Sequence, residues 1–239
     1  MHYGDRMRPS CFVRAVVLVL LAAGCSDARH PTAIQTPPAP ALQVLRWAGN
    51  VPPRFTATAL PANGDGGGQL QPSLSDGLSL DHNTVSFWAV RGEERSVQIN
   101  YLSSTGSTSA PFMHLAITDP TFVPGRGELA PGDSVLITVT VDPSAIKMSL
   151  EPTGLQFGDP AQLQISYGGA DGDMNGDGVV DNADATIEAQ LLGLWYREGA
   201  DSAWTRIPAS QSLPDQSFVT ALRHFCDFEV SFSENAVSW

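Results

Sequence analysis

Basic residues are scarce in this chain of 239 residues. Thirteen Lys and Arg stand against 25 Asp and Glu, which gives a formal net charge of −12. Nucleic-acid phosphates are bound by clusters of Lys and Arg, so the charge balance argues against a nucleic-acid partner. An acidic surface suits an exposed domain in a compartment that contains divalent cations.

Long hydrophobic runs are also missing, with one exception close to the N-terminus. The apolar run Ala15–Ala23 follows Arg6, Arg8 and Arg14 and is followed by Gly24 and Cys25. It is shorter than the roughly 20 apolar residues that a membrane-spanning helix needs. A basic segment, a short apolar run and small residues indicate a signal peptide over residues 1–25, with Met1 or Met7 as its start.

The end of this segment, Leu21-Ala22-Ala23-Gly24-Cys25, resembles the lipobox of bacterial lipoproteins. The resemblance implies that Cys25 carries diacylglycerol and becomes the first residue of the mature protein. It also implies a cell-envelope location, with Ser26 favouring the outer membrane if the host has one. The alternative is an ordinary secretory signal with an incidental cysteine.

Cysteine is too rare for a disulfide framework, since the chain has only three. Cys11 would leave with the signal peptide and Cys25 would carry the lipid, so Cys226 would be the one remaining thiol. It lies in the alternating run His224–Phe228, which predicts a buried, structural cysteine rather than a reactive one.

Catalytic motifs are absent as well. The sequence has no Gly-x-Ser-x-Gly, no His-Glu-x-x-His and no glycine-rich phosphate loop. His114, His224 and Cys226 form only a weak candidate metal set. A pair of carboxylates for glycoside hydrolysis stays open, because the separation of such a pair depends on the fold. We therefore expect a protein that is not an enzyme.

What the sequence does contain is a series of short alternating apolar runs separated by Gly, Pro, Asp and Ser. Ser134–Val141 is the clearest, rich in β-branched residues and flanked by Pro131-Gly132-Asp133 and Asp142-Pro143. The pattern predicts an all-β fold, an immunoglobulin-like β-sandwich of one or two units. The other predicted strands are Gln43–Trp47, Arg54–Leu60, Thr84–Val90, Ser96–Tyr101, Phe112–Thr118, Ala161–Tyr167, Gly193–Arg197, Trp204–Ile207, Phe218–Leu222 and Phe228–Phe232.

The domain organisation follows from these runs and from the proline distribution. Residues 26–42 contain four prolines and no apolar periodicity, as expected of an extended tether. An N-terminal β-sandwich region is predicted over 43–127 and a C-terminal β-sandwich over 128–239. The latter would carry an insertion at 171–193, and residues 61–77 would form an exposed glycine-rich loop.

The insertion contains a twelve-residue pattern with the spacing of an EF-hand calcium loop. Calcium takes oxygen ligands from positions 1, 3, 5, 7, 9 and 12 of such a loop, and position 6 is a glycine. Here Gly178 falls at position 6, and Val180 at position 8 is expected to anchor the loop to the fold. The alternative is a solvated acidic turn. The predicted calcium ligands are Asp173, Asn175, Asp177, the backbone carbonyl of Val179, Asp181 and Asp184.

A helix is predicted after this loop, over Asp184–Leu192, with Gly193 as its end. The run Gln162–Tyr167 before the loop alternates as a strand, so the loop joins a strand to a helix. A switch in which two helices swing apart is therefore not expected. Calcium is expected to stabilise the inserted loop.

Two resemblances bear on this region. Residues 171–193, with Gly172–Gly178 and the helix after it, look like one repeat of a type I dockerin, whose two repeats bind a cohesin module. Roughly residues 128–239 are similar to the β-sandwich domain of ankyrins and netrin receptors. The residues that carry the second resemblance are Pro131-Gly132-Asp133, Leu150–Phe157, Pro160–Tyr167, Leu194-Trp195-Tyr196, Trp204–Ile207 and Leu222–Phe225. It implies a structural or interaction module and brings no catalytic residues.

Several aromatic residues are candidates for a carbohydrate-stacking face, although core packing is the commoner role. In each of the pairs Phe87-Trp88 and Trp195-Tyr196, alternation directs one side chain inward and the other outward. Trp204 is the fifth candidate. The sequence thus predicts a lipid-anchored cell-envelope protein serving as a structural or interaction module with an unknown protein or glycan ligand. The alternatives are a dockerin-like scaffold partner and an unrecognised extracellular hydrolase.

Overall fold

The computed structural model describes residues 42–60, 78–80, 83–102 and 109–233. The predicted signal peptide, Cys25, the tether up to residue 41 and the predicted loop at 61–77 lie outside these residues. The described residues all belong to one compact unit, Ala39–Trp239. None of the helices in these ranges is both long enough and apolar enough to cross a membrane.

Strands make up more than half of the residues in these ranges. Four of the predicted strands, β2, β4, β9 and β12, have the bounds that the sequence indicated. The strands are β1 (Gln43–Val44), β2 (Arg54–Leu60), β3 (Leu78–Ser79), β4 (Thr84–Val90), β5 (Arg95–Leu102), β6 (Ser109–Ile117), β7 (Pro120–Val123), β8 (Gly127–Glu128), β9 (Ser134–Val141), β10 (Lys147–Glu151), β11 (Gln156–Ser166), β12 (Gly193–Arg197), β13 (Thr205–Arg206), β14 (Ser210–Ser212), β15 (Ser217–His224) and β16 (Asp227–Phe232).

These strands make two antiparallel sheets, so the fold is the predicted all-β sandwich. The first sheet has the order β13-β12-β16-β10-β9-β4, and β1 also pairs with β16. The second has the order β14-β15-β11-β6-β5-β2-β3, with β7 on β11 and β8 on β7. Pairing of β4 with β9 and of β6 with β11 joins strands from 43–127 to strands from 128–239. The described residues therefore form one sandwich. Of the two alternatives that the sequence left open, one unit or two, the structure has one.

The core forms because apolar side chains alternate along the strands and face the opposite sheet. In β9, Val135, Ile137, Val139 and Val141 are buried, whereas Leu136 between them is 44% exposed. Both sheets contribute to one continuous cluster of buried side chains. Each such aliphatic side chain contributes about 1.5–3 kcal/mol through its burial.

Trp47 fixes the N-terminal segment to this core. Its ring centroid lies 5.1 Å from that of Phe112, 5.3 Å from Phe55 and 5.7 Å from Tyr101. Its indole N–H donates to the backbone oxygen of Asp142 at 3.2 Å. Burial of the ring is thus combined with a partner for its polar atom.

The insertion connects the two sheets. It follows β11 of the second sheet and ends at β12 of the first, and it contains the short helix α1 (Asn182–Thr186) and a π-helical turn at Ile187–Leu191. A turn of 3₁₀ helix at Gly168–Ala170 leads from β11 into the insertion. A side chain at Gly169 would meet the Trp47 ring, with its Cβ 2.5 Å from Cζ3. The absence of a side chain there lets the start of the insertion pack directly on Trp47.

Candidate metal loop and its surroundings

The side chains of the predicted calcium loop fold back onto the backbone of the loop itself. Asp173 accepts hydrogen bonds from the N–H groups of Gly176 at 2.8 Å and Gly178 at 2.9 Å. Asn175 accepts from Asp177 N–H, and Asp177 accepts from Val179 N–H, both at 2.8 Å. The Asn175 amide also donates to the second carboxylate oxygen of Asp177 at 3.1 Å. These bonds hold residues 173–179 in a tight, closed turn.

Glycine at position 6 is required by this conformation, as the sequence indicated. Gly178 has a φ of +86°, and Gly176 at position 4 has a φ of +75°. Both values lie in the left-handed region that side chains other than glycine adopt only with strain. The two glycines therefore let the chain turn back so that its N–H groups reach Asp173.

Asp184 closes the loop from its other end. It is 2% exposed, and its Oδ1 accepts from the N–H groups of Met174 at 2.7 Å and Asn175 at 3.1 Å. Its Oδ2 accepts from Asp181 N–H at 2.8 Å. One buried carboxylate thus joins the first turn of the loop to the start of α1.

These contacts correct the predicted start of the helix. The helix begins at Asn182 rather than Asp184, because Asp181 is its N-cap and accepts from Ala183 N–H at 2.7 Å. Asp184 returns a bond to the N-cap backbone, so the two residues form a reciprocal capping box. The α-helix is also shorter than predicted, since a π-helical turn replaces it from Ile187.

The ionisation of Asp184 follows from these bonds. Burial raises the pKa of the Asp184 carboxyl, but backbone N–H groups of Asp181, Asn175 and Met174 counteract it. Together with the N–H of Asp184 itself they outweigh the burial, and the pKa lies below its ordinary value. The carboxylate is therefore held in its charged form.

The prediction that Val180 anchors the loop to the fold is wrong. Val180 is 66% exposed and Val179 is 58% exposed, so neither packs into the core. Met174 is 2% exposed and Ile187 is 9% exposed, and both belong to the core cluster. The loop is therefore anchored from its position 2 and from the turn after α1. Met174 carried a signal for this role, as an apolar residue within an otherwise polar stretch.

The donor set has the chemistry of a hard-cation site. Asp173, Asn175, Asp177 and Asp181 are exposed or half-exposed, and each offers oxygen atoms of the kind that calcium prefers. A carboxylate oxygen has two lone pairs, so the N–H bonds described above leave acceptor capacity on Asp173, Asp177 and Asp181. Among the described residues, however, no three His, Cys, Asp or Glu side chains are grouped closely enough to hold a metal ion. The type of donor and the backbone conformation therefore fit calcium, whereas the described carboxylates are not gathered around one point.

His114, His224 and Cys226 do not form the second candidate metal set. Both histidines lie on strands that pair with β11. His114 of β6 lies opposite Gln164, and His224 of β15 lies opposite Gln156. Eight residues along a strand correspond to roughly 25 Å. The strand β15 ends at His224, so His224 and Cys226 are not on one strand face as predicted.

Cys226 is the buried structural thiol that the sequence indicated. It is 1% exposed and is unpaired. Burial, followed by the negative charges of Asp227 and Glu198, raises the pKa of the Cys226 thiol to about 12. A thiol that stays protonated in the core is inert.

The candidate aromatic residues do not assemble into one stacking face. Phe87 is 6% exposed and Trp88 is 48% exposed, which confirms the predicted alternation of that pair. Trp195 is 8% exposed, and its indole N–H donates to the backbone oxygen of Ser231 at 3.0 Å. Four strand spacings, about 19 Å, separate β12 from β4 in the sheet. Trp88 is therefore an isolated exposed ring.

A polar cluster that the sequence did not reveal lies on the outer face of the first sheet. Asp227 accepts from Ser149 Oγ at 2.7 Å and from Arg197 Nε at 3.0 Å. The Arg197 guanidinium lies 4.8 Å from the centre of the Trp204 ring. Beside them Glu229 is 5% exposed and accepts from Ser231 Oγ at 2.7 Å. The sequence contained one signal for this cluster. Asp227, Glu229 and Ser231 are two residues apart in the sequence of β16, so they share one face of the sheet.

Glu229→Gln is expected to stabilise the protein at neutral pH. Burial raises the pKa of the Glu229 carboxyl, and the negative charge of Asp227 raises it further. The hydrogen bond from Ser231 and the positive charges of Lys147 and Arg197 lower the pKa, but only in part. Protonation therefore favours the folded state. That contribution is complete below the ordinary glutamate pKa of about 4.3 and is lost as pH rises through the folded-state pKa. Urea unfolding of both proteins across pH 4–8 should show equal stability at acid pH and a more stable variant at pH 7. A less stable variant at pH 7 would contradict this.

Two of the clefts formed by the described residues lie close to the candidate residues. One, of about 480 Å³, is lined by residues of the turn after β10, by Glu198 and by the end of β15, including His224, whose Nε2 lies 3.9 Å from Glu198 Oε1. The other, of about 470 Å³, lies between the N-terminal segment at Leu42–Val44 and Arg46, the loop residues Met174–Gly176, and Phe232. The first turn of the loop thus faces the segment where the chain enters the sandwich.

No protein-family model, curated protein or solved structure matches the chain. The geometry described above is therefore the basis for any functional assignment.

Proposed function

We propose that the protein is a structural or interaction module of the cell envelope, anchored by a lipid on Cys25 and stabilised by calcium in the loop Asp173–Asp184. The lipid rests on the sequence of the N-terminal segment, which lies outside the described residues. The calcium site rests on the loop, and the observation that carries it is the closed turn around Asp173, with glycines in the left-handed region at Gly176 and Gly178.

The ligands of this proposal are oxygen atoms only. Asp173, Asn175, Asp177 and Asp181 would supply side-chain oxygens, Val179 its backbone carbonyl, and Asp184 its carboxylate. Asp184 is buried and already ordered by the backbone, so it would need little further ordering. The bound ion would supply positive charge among carboxylates that otherwise repel one another.

The position of the loop supports a structural role for the ion. The insertion joins β11 of one sheet to β12 of the other. Gly169, just before the insertion, packs on Trp47, and residues Met174–Gly176 share a cleft with β1. Ordering residues 173–184 would therefore stabilise the connection between the sheets and the point where the N-terminal segment enters the fold. Among the described residues, the cleft at His224 and the surface around Trp88 are exposed and could contact other molecules.

Calcium is expected to raise the melting temperature of the full chain, and EDTA to reverse the increase. An ion that binds only the folded state stabilises it by about 2.7 kcal/mol when its concentration is 100-fold above the dissociation constant. In a protein of this size each kcal/mol corresponds to roughly 2–4 °C. Thermal unfolding followed by circular dichroism, with excess calcium and then with EDTA, measures the difference.

Asp177→Ala tests the assignment to this loop. Asp177 is exposed, so the loss of its bonds to Val179 N–H and to the Asn175 amide should cost about 1 kcal/mol without metal, whereas the response to calcium should be abolished. Asp201→Ala is the matched control, because it removes an exposed carboxylate outside the insertion and should leave the response intact. Equal melting of the unmodified chain with and without calcium would exclude the proposed site, and an intact response in Asp177→Ala would place the ion elsewhere.

A further inference from the structure

The outer face of the second sheet carries a row of uncharged polar side chains. Gln98 of β5 is paired with His114 of β6, and His114 with Gln164 of β11, so the three lie side by side. Thr58 of β2 continues the row on one side and Val219 of β15 on the other. Their described neighbours along each strand are buried, so the row faces outward. At about 4.8 Å per strand spacing, the row is roughly 19 Å long.

The glutamine amides of this face are all bound through the same half. Gln98 Nε2 donates to Asn100 Oδ1 at 2.8 Å, and Gln164 Nε2 donates to Ser217 Oγ at 3.4 Å. Gln162 Nε2, in the next row, donates to the backbone oxygen two residues earlier at 3.4 Å. Among the described residues no donor reaches the three amide carbonyls. The hydrogen bonds thus orient the amides and leave three acceptors facing outward.

Small apolar side chains lie between these amides. The row next to the first contains Ala116 of β6, Gln162 of β11 and Ala221 of β15, and Val219 is 40% exposed. The five strands β2, β5, β6, β11 and β15 contain one carboxylate, Asp159, which lies at the irregular pairing of β11 and outside both rows. We call this surface, made of the two rows, the amide face.

The unused acceptors indicate which chemistry fits the amide face. A partner must bring hydrogen-bond donors, because carbonyl oxygens accept and do not donate. A hydroxyl group donates and accepts, so a chain of hydroxyl groups can satisfy each carbonyl. The backbone of an extended peptide brings as many carbonyls as N–H groups, and its carbonyls would face the amide carbonyls.

The sign of the charge narrows the partner further. An anionic polymer would meet carbonyl oxygens here, in a chain of net charge −12. A cationic polymer would bind more strongly to the carboxylates elsewhere, since hydrogen bonds to charged acceptors are about twice as strong. The alanines and Val219 add apolar contact surface beside the acceptors. A neutral polymer that alternates O–H donors with C–H surface matches both features.

We propose that the amide face binds a neutral polysaccharide. This proposal rests on the interaction-module part of the function proposed above, and it names the class of partner. Sugar hydroxyl groups donate to the carbonyls of Gln98, Gln162 and Gln164, and the C–H faces of the sugar rings pack on Ala116 and Ala221. Each contact is exposed to water and weak by itself, so several sugar units along the row are needed for binding.

The test measures retention of the full chain on immobilised cellulose, chitin, galactomannan, xylan and dextran, with alginate as the anionic comparison. A detergent without sugar and excess EDTA are present throughout, so the calcium loop takes no part. At least one neutral material should retain the chain more strongly than alginate does.

A double variant locates the contact. Gln162→Ala with Gln164→Ala removes two carbonyls at exposed positions, so the fold should be kept, and affinity should fall by about tenfold. Gln190→Ala is the matched control, because it removes an exposed glutamine in the π-helical turn outside the amide face. Its retention should equal that of the unmodified chain.

The other outcomes decide against the proposal. No retention on any of the five neutral materials would exclude a neutral polysaccharide as the partner, and stronger retention on alginate than on all of them would mean that charge selects it. Equal retention of the double variant and the unmodified chain, or loss in Gln190→Ala, would place the contact on another surface. The calcium proposal is judged separately, by the melting of the same chain with and without calcium.

Discussion

Asp184→Ala is expected to destabilise the protein by about 2–5 kcal/mol in the absence of calcium. The substitution leaves the N–H groups of Met174, Asn175 and Asp181 without the carboxylate that binds them. A buried backbone donor without a partner costs about 1–3 kcal/mol, and loss of a capping residue adds about 1 kcal/mol. Urea unfolding in EDTA measures the change, and amide exchange at Met174 shows whether the insertion opens locally.

Two variants separate the contributions of Asp184. Asp184→Asn keeps one oxygen acceptor in the same place, so it should recover part of the loss. Asp181→Ala removes only the cap of α1 and should cost about 1 kcal/mol. If Asp184→Ala changed the free energy of unfolding by less than Asp181→Ala, Asp184 would not be the residue that closes the loop.

Trp47→Ala is expected to cost about 3–5 kcal/mol, the range for removing a large aromatic side chain from a packed core. The ring contacts Phe55, Tyr101 and Phe112 and covers Gly169 at the start of the insertion. Its removal leaves a cavity between the N-terminal segment and the insertion and frees the oxygen of Asp142. Urea unfolding should show a lower midpoint, and exchange at Gly169 and Ala170 should accelerate.

Trp88→Ala is the matched control. The same side chain is lost from the outer face of β4, where it is 48% exposed, so the loss of stability should be clearly smaller than that of Trp47→Ala. Equal losses in the two variants would mean that Trp47 does not hold the N-terminal segment to the core.

Much of the fold could be predicted from alternation alone. The run Ser134–Val141 became β9 with the predicted bounds, because every second residue is an apolar residue that faces the other sheet. Strands with weaker signals were missed. In β10 the apolar Met148 and Leu150 alternate with Lys, Ser and Glu, and in β7 a proline at the first position indicates a turn. The division at 127/128 did not reveal the pairing of β4 with β9, since no local pattern specifies which distant strand lies alongside.

The candidate site was predicted less evenly. Asp173 and Gly178 follow from local spacing, because the chemistry of the loop is contained in twelve consecutive residues. Val180 was misassigned because its environment depends on what the fold places next to it, and here its side chain lies beside Gly172 and solvent. Glu229 was missed for a similar reason: a glutamate in a strand is ordinarily exposed, and nothing in the sequence of β16 indicates that this one is 5% exposed.

The central claim is that calcium orders the Asp173–Asp184 loop, and amide hydrogen exchange of the full chain with and without calcium tests it most directly. The N–H groups of Gly176, Gly178 and Val179 already bind Asp173 and Asp177, so stabilisation of the loop must slow their exchange. We predict slower exchange at these three residues and at α1 when calcium is added, with strands of the second sheet such as β5 unchanged. Identical exchange at these residues with and without calcium would contradict the account.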